Sequence, residues 1–477
     1  MKNDDINIPL CVDLDGTLLK TDLLYESVIY LLKKNFFYIF ILPFWLAKGR
    51  YFLKFKLLEF ITPNITSMPF HQDVLDYVIN EKSNGRRIVL VTATAEPLAI
   101  KAAEHFDVFD EVIASKDGIN LVGQNKAARL VELFGEKGFD YAGDSYKDLF
   151  VWAKSRNSMV VSDNENLLNE AEKASNVSKK FIFKRDKFKI FIKQIRVHQW
   201  VKNLLIFMPP LLAHKTGFDD YFNVIWAFLS FSFVASGIYV INDLADIESD
   251  RNHDGKKNRP AASGNISILT CLKIIPVMIL SGYLMSIMAL GINFTMILVA
   301  YTIITVLYSF RLKKIYLLDI IILSLLYTSR LIAGGVATGT EISPWLFSFS
   351  MFVFLSLGAM KRYTELKGLI ESNKTKTRGR DYYVEDIPLI SMIGISAGIV
   401  STLVFTLYID NPDVIKLYNS PFYLYLITPV VLYWILRMWF IAHRGMMNDD
   451  PIVFGLKDKA SYIVAAIIFL IALGATL

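Results

Sequence analysis

The sequence predicts two fold classes in one chain of 477 residues: an α/β domain with a parallel sheet over 1–185, and an all-α multi-pass membrane domain of about nine spans over 186–477. Three observations predict it. The composition is mixed: 53% hydrophobic residues with 20% charged, where a soluble domain carries about 25% charged residues. β-rich apolar runs alternate with helix-like stretches in the first part. Apolar blocks near the ~20 residues a bilayer requires fill the second. A disordered chain is excluded, since that needs low hydrophobicity and high net charge. The net charge of +6 is too mild to point to nucleic acid when Lys and Arg are expected on cytoplasmic loops. Two cysteines, Cys11 and Cys271, make neither a disulfide framework nor a Cys-rich zinc site. The N-terminal residues lack the charged-then-apolar pattern of a signal peptide.

In order along the chain, strands are expected at Ile6 to Asp13, Arg87 to Val91, Val108 to Ala114, Asp140 to Ala142 and Ser158 to Val161. Helices are expected at Glu96 to His105 and Asn125 to Leu133. Tyr25 to Ile61 interrupts the alternation: it is aromatic and apolar, but Lys33, Lys34, Lys48, Arg50, Lys54 and Lys56 break it up. No run there approaches the ~18 uncharged residues of a spanning helix, so a helical insertion with a basic, aromatic face suited to a membrane surface is expected. An ordinary amphipathic cap helix pair is the competing reading.

The chemistry of this part begins at VDLDGTL, residues 12–18. Asp13 and Asp15 sit where a strand ends, and ligands bind at the carboxyl ends of parallel strands. Such a pair can hold Mg2+ while one carboxylate attacks phosphorus. Thr92 ends the next strand and offers a hydroxyl to a phosphate oxygen. Lys126, at an expected helix start, can neutralise phosphate charge. Asp144 and Asp148, in Gly143-Asp144-Ser145 and beyond, can complete an oxygen-ligand Mg2+ site. With these four pieces in this order, residues 8–165 resemble the haloacid dehalogenase phosphohydrolases. The resemblance implies Asp13 as nucleophile, Asp15 as general acid/base, Thr92 and Lys126 on the phosphoryl group, Asp144 on Mg2+ with Asp148 supporting, and a substrate-selecting cap at about 20–82.

Nine apolar blocks follow a basic amphipathic segment, Arg185 to Arg196: 200–213, 222–242, 268–290, 293–309, 317–336, 345–360, 388–409, 421–441 and 459–477. The loops after the even-numbered blocks hold the cations, among them Arg251, Lys256, Lys257, Arg259, Arg311, Lys313, Lys314, Lys361, Arg362, Lys374, Lys376, Arg378 and Arg380, whereas the other loops hold Lys215 and Lys416. An excess of Lys and Arg marks cytoplasmic loops, which places the N-terminal domain in the cytoplasm.

The second block ends Asn242-Asp243-Leu244-Ala245-Asp246-Ile247-Glu248-Ser249-Asp250. On a helix, Asp243, Asp246 and Asp250 share a face. Three carboxylates at a membrane boundary repel, and intramembrane acids are costly and usually functional. Mg2+ relieves the repulsion and keeps sites free for phosphate oxygens, so a diphosphate is the natural ligand. Lys256 and Arg259 follow, placed to take the remaining phosphate charge. At the same level stand Lys202, Asn203, Tyr308, Lys314, Asp319 and Lys361. Arg330 lies within the fifth block and needs a partner, either a lipid phosphate or Asp319. Boundary cations such as Lys361 also serve as snorkelling anchors.

The NDxxDxxxD pattern at 242–250, the Tyr308-Ser309 pair and Asp319 resemble the UbiA superfamily of intramembrane prenyltransferases. RxxQWxKN at 196–203, NDLADIESDRNHDGKKNRP at 242–260 and KRYTEL at 361–366 resemble its decaprenyl-phosphate phosphoribosyltransferase branch. Leu323 stands where most UbiA enzymes carry the second acid of DxxxD. The resemblance implies transfer of 5-phosphoribosyl from phosphoribosyl pyrophosphate to polyprenyl phosphate with Mg2+ on Asp243, Asp246 and Asp250, and Lys202, Arg330 and Lys361 on the acceptor phosphate. The phosphatase domain is then expected to remove the ribose 5-phosphate, in a multi-pass protein of the bacterial inner membrane. The alternatives are an aromatic prenyltransferase with a regulatory N-terminal module, and a transporter, which lacks the paired broken helices of such folds. The sequence leaves homo-oligomerisation open.

Overall fold

A computed structural model describes residues 7–371, 375–377, 380–447 and 450–477. Lys374 and Arg378 of the expected basic loop, and Ile6 of the first expected strand, lie outside the described residues. The chain forms two compact units, one of Met1–Arg196 with Tyr239–Pro276, the other of Val197–Ile238 with Val277–Leu477.

The first unit is built on six parallel strands in the order β3-β2-β1-β4-β5-β6: β1 (Leu10–Val12), β2 (Ile88–Ala95), β3 (Glu111–Ser115), β4 (Asp140–Gly143), β5 (Asn157–Val161) and β6 (Asn176–Phe181). Five match expected strands. The sixth was missed because β6 reads Asn-Val-Ser-Lys-Lys-Phe and buries only its last residue; it is an edge strand and lacks the apolar run of a central one. Strands β1 and β4 are buried throughout, and β2 at every residue but Ala93.

Helices α1 (Leu23–Lys34), α2 (Leu42–Ala47) and α3 (Arg50–Leu58) form the insertion after β1. Leu31, Leu53 and Leu57 pack with Tyr38, Trp45 and Phe60 into its own small core. Next, α4 (Gln72–Ser83) places Val74, Leu75 and Val78 in the main core with Leu10 and Ile88. It is therefore the crossover helix to β2, and belongs with the sheet. Helices α5 (Glu96–Phe106), α6 (Gln124–Phe134), α7 (Leu149–Trp152), α8 (Glu165–Ala174) and α9 (Lys187–Gln194) complete the N-terminal region.

Then follow α10 (Met208–Leu212), α11 (Phe218–Ala245), α12 (Ile247–Arg251), α13 (Ile268–Phe310), α14 (Leu318–Thr338), α15 (Pro344–Glu371), α16 (Ile387–Ile409), α17 (Pro412–Ile415), α18 (Ile427–His443), α19 (Pro451–Gly455) and α20 (Lys459–Thr476). Among the described residues, seven helices are long and apolar enough to cross a membrane, against nine expected spans. Two differences account for this. The blocks at 268–290 and 293–309 join as α13, which breaks at Gly291, where φ is 77°. Tyr283 donates to Thr302 at 2.7 Å across that break, and Ser286 meets Thr295 at 2.9 Å. A straight helix would set the first pair nearly ~30 Å apart, so α13 is a helical hairpin. The block at 200–213 is instead a 3-10 stretch, Val197–Phe207, running into α10. Pro209 and Pro210 lack N–H groups and start a fresh turn without extending the preceding helix.

Candidate active sites

The N-terminal constellation assembles at the carboxyl ends of β1, β2 and β4. Asp13 follows β1, and its carboxylate accepts from Leu14 N at 2.9 Å and pairs with Lys126 Nζ at 3.0 Å. Lys126, buried at the start of α6, also donates to the Tyr141 hydroxyl at 2.8 Å, which donates in turn to Asp148 at 2.8 Å. Asp148 accepts from Ser145 N at 3.0 Å and Ser145 Oγ at 2.7 Å. The glycine of the DLDGT motif has a definite task. Gly16 sits at φ +84°, and a Cβ there would lie 2.2 Å from Asp144 Oδ2. The turn therefore needs glycine twice over, for its backbone and for the approach of Asp144.

Oxygens of Asp13, Asp144 and Asp148 lie within 4.8 Å of one another. Burial, then the charges of Asp148 and Asp13, push the Asp144 carboxyl well above the usual carboxylate range. Clustered carboxylates under that repulsion fit a hard divalent cation such as Mg2+. The carboxylate of Asp15, expected among the metal ligands, points elsewhere: it accepts from Thr94 Oγ1 at 2.6 Å and Leu23 N at 2.9 Å. Burial, and then the nearby Asp22, push it up to about 7, a suitable value for a proton-transfer group. Thr92 is fully buried and accepts from Thr94 N at 3.0 Å. It does not line the cleft of about 190 Å3 that holds Asp13, Asp15, Lys126 and Asp144. Sequence reasoning missed Thr94 and Tyr141, which bond to Asp15 and Lys126, and the insertion residues Tyr25, Arg50 and Lys54, which line the same cleft. Their signal is weak, because each reaches the site from an element whose position only the fold sets.

The acidic segment lies in the first unit. α11 ends at Ala245 and α12 restarts at Ile247, with Asp246 between them, so the expected continuous acidic helix is interrupted. Asp243 accepts from Arg196, from Arg259 Nη1 at 3.1 Å and from Gln194 Nε2 at 3.3 Å. Asp250 takes the same Arg259 nitrogen at 2.6 Å. One guanidinium thus bridges two of the three acids. Burial nevertheless pushes the Asp250 carboxyl up, against the opposing pull of Arg259. Among the described residues, Asp243, Asp246 and Asp250 do not converge as the Asp13 group does. The donor set still suits a divalent ion: carboxylates that already share one cation. Asn242 is half-buried beside them and Lys256 is exposed.

In the second unit, Lys202 and Lys361 converge on one oxygen of Asp450, at 2.7 and 3.2 Å. Asp450 was not anticipated; an Asn-Asp-Asp-Pro run reads as a helix cap, and its side chain does cap α19. Arg330 is not paired with Asp319. Its Nε donates to Asn203 at 2.8 Å, Nη2 to the Tyr301 hydroxyl at 3.2 Å, and Nη1 to Leu326 O. The guanidinium also lies over the Phe231, Tyr301 and Tyr327 rings. All three of its nitrogens are engaged, so Arg330 braces the 3-10 stretch against α14. Asp319 is fully buried, bonded by Arg362 Nε at 2.7 Å and by the Tyr382 hydroxyl. The sequence pointed to Asp319 as a further metal ligand; here its carboxylate forms an internal ion pair with Arg362. Tyr308 is half-buried and Lys314 exposed.

Residues 203–457 match the model of the UbiA prenyltransferase family, and residues 30–150 that of haloacid dehalogenase-like hydrolases. An uncharacterized protein of Sinorhizobium fredii, y4nM, is 35% identical over 97% of this chain and 90% of its own length. The nodulation protein NoeC of Azorhizobium caulinodans is 34% identical over 58% of this chain and 90% of its own. The decaprenyl-phosphate phosphoribosyltransferase of Mycobacterium tuberculosis is 38% identical over 183 residues, 37% of this chain and 59% of its own.

Proposed function

Because this chain belongs to the UbiA prenyltransferase family and carries a haloacid dehalogenase-like domain at its N-terminus, we propose that it makes a ribosylated lipid in two steps. The first moves 5-phosphoribosyl from phosphoribosyl pyrophosphate to polyprenyl phosphate. The second removes the ribose 5-phosphate. The observation that carries the reading is the presence on one chain of a cleft lined by Asp13, Asp15, Lys126, Asp144 and Asp148 and a membrane half similar to a decaprenyl-phosphate phosphoribosyltransferase.

In the transfer, an oxygen of the lipid phosphate attacks C1 of the ribose, and the C1–diphosphate bond breaks. Lys202 and Lys361, which now share Asp450, hold the acceptor phosphate in place of that carboxylate. Arg259 and Lys256 take charge from the departing diphosphate. Asp243, Asp246 and Asp250 would hold Mg2+, which supplies further neutralisation of that leaving group.

In the hydrolysis, a carboxylate oxygen of Asp13 attacks phosphorus and the ribose 5-oxygen leaves, taking a proton from Asp15. Water then attacks the aspartyl phosphate, with Asp15 receiving its proton. Lys126 neutralises the phosphoryl oxygens and orients Asp13. Asp13, Asp144 and Asp148 would hold Mg2+, which offsets phosphoryl charge. The distribution of Lys and Arg supports a position for these residues on the cytoplasmic face of a bacterial inner membrane.

The test is a reaction of purified protein with Mg2+, phosphoribosyl pyrophosphate and polyprenyl phosphate, with lipids analysed by mass. Wild type should yield polyprenyl phosphoribose, Asp13→Asn should stop at its 5-phosphate, and Asp246→Asn should make neither. Absence of any ribosylated lipid, with turnover of a prenyl diphosphate and an aromatic acceptor instead, would replace this reading by the aromatic prenyltransferase.

A further inference from the structure

The insertion after β1 divides its apolar side chains in two. One set closes the small core around Leu31, Leu53 and Leu57. The other faces outward: Phe36, Phe37, Ile39, Phe40, Ile41, Phe44 and Leu46 are all exposed, Phe37 at 73%, Phe40 at 67% and Phe44 at 72%. The core is complete without them, so they are not held back for it. Contiguous exposed apolar surface of this kind marks an interaction site.

Charge identifies the partner. Between Glu26 and Glu59 the chain carries Lys33, Lys34, Lys48, Arg50, Lys54 and Lys56 and no acidic residue. Lys33 and Lys34 precede the apolar patch and Lys48 and Arg50 follow it, all four exposed. Aromatic and aliphatic side chains between exposed cations suit the interface of an anionic bilayer, whose negative surface potential attracts Lys and Arg. This chain is an integral membrane protein, so a bilayer is present wherever it folds.

The patch is also tied to the phosphatase cleft. α3, which follows it, sends Arg50 and Lys54 into the cleft lining, and α1, which precedes it, sends Tyr25. Lys54 donates to Ala93 O beside β2's active end and to Asn120 at 3.3 Å, while the Tyr51 hydroxyl accepts from Gly118 N at 2.9 Å. We infer that Phe36–Leu46 is a bilayer-insertion surface, and that the cleft beside it takes a phosphomonoester whose other end remains in the membrane, with Arg50 and Lys54 meeting the phosphate as it enters. The substrate half of this inference rests on reading the cleft as a phosphatase; the insertion half does not.

The experiment uses the full chain in vesicles of phosphatidylcholine and phosphatidylglycerol. A polarity-sensitive dye is attached at Phe40→Cys, the native Cys11 and Cys271 being buried. Blue-shifted emission that brominated lipid quenches is expected; water-like, unquenched emission overturns the inference whatever the enzyme does. The triple variant Phe37→Ser, Phe40→Ser, Phe44→Ser should lower hydrolysis of a lipid-linked phosphomonoester by about tenfold and leave a water-soluble aryl phosphate unaffected. Equal loss on both substrates overturns the delivery role. If wild type hydrolyses neither, the phosphatase reading falls and takes the substrate half with it, while the dye still decides insertion.

Discussion

At the scale of single residues, the proposed phosphatase site is governed by who holds Asp15. Its carboxylate keeps one hydrogen bond from Thr94 and one from Leu23 N, and both favour the ionised form against burial, which raises the carboxyl to about 7. Thr94→Val removes one donor without changing shape. The ionised form then loses support, so the Asp15 pKa rises, by about one unit for a bond to a charged acceptor. An acid with a higher pKa stays protonated to higher pH. The inflection of the phosphatase pH–rate profile assigned to Asp15 should therefore move upward, which steady-state hydrolysis of a soluble phosphate ester across pH would measure. An unmoved inflection would detach Asp15 from proton transfer. Asp13, Asp15, Lys126, Asp144 and Asp148 were legible in the sequence because each follows or opens a recognisable element. Thr94, Tyr141 and Asp450 were not, since nothing near them in sequence records which distant charge they meet. Asp319 and Arg330 show the same limit: the sequence singled out both, and packing joined Asp319 to Arg362 and Tyr382 and Arg330 to Asn203 and Tyr301.

At the scale of elements, the 3-10 stretch Val197–Phe207 is the departure with the largest consequence. The sequence presented an apolar block and suggested a spanning helix; the proline pair that ends it was visible, but its effect depends on what packs alongside. Asn203 donates to Ser232 on α11 at 2.9 Å and accepts from Arg330 on α14. Ile206 lies against Gly334, whose added Cβ would come within 2.1 Å of the Ile206 carbonyl. One polar side chain thus fixes an irregular segment between two helices. Asn203→Leu leaves the buried Arg330 Nε without its acceptor, and losing a partner of a charged group costs about 3 kcal/mol. Unfolding of the full chain in detergent should show that loss. Arg330→Leu in the same background should add little, because the pair acts as a unit. Fully additive effects would mean that the two side chains stabilise the protein separately. The α13 hairpin follows the opposite logic: its two halves were expected as two spans, and Gly291 supplies the positive φ at which they reverse.

At the scale of the whole molecule, the first unit combines the haloacid dehalogenase-like domain with Tyr239–Pro276, the stretch that carries the acidic segment. The joint is a buried ion pair. Glu26, fully buried on α1, takes Arg251 Nη2 at 2.5 Å and Nη1 at 3.3 Å, and accepts from Thr21 at 2.7 Å. Arg251 also donates to Ala262 O at 3.2 Å. A positive-φ glycine, Gly264, brings its backbone against Lys20, and Arg185 donates to its carbonyl at 3.3 Å. Three residues before Glu26, Leu23 N holds Asp15; one residue before Arg251 stands Asp250. The first turn of α1 therefore touches both Asp15, through Leu23 N, and the acidic segment, through Glu26. Glu26→Gln strands the Arg251 charge in a buried site, and removing one partner of such a pair costs about 3–5 kcal/mol. Hydrogen exchange should then quicken together at 21–30 and at 248–262, segments far apart in sequence, while α8 keeps its protection. Adding Arg251→Met removes the stranded charge and should restore much of the protection at both segments. If Glu26→Gln loosens only 21–30, the ion pair is a local contact and the acidic segment is held by other bonds.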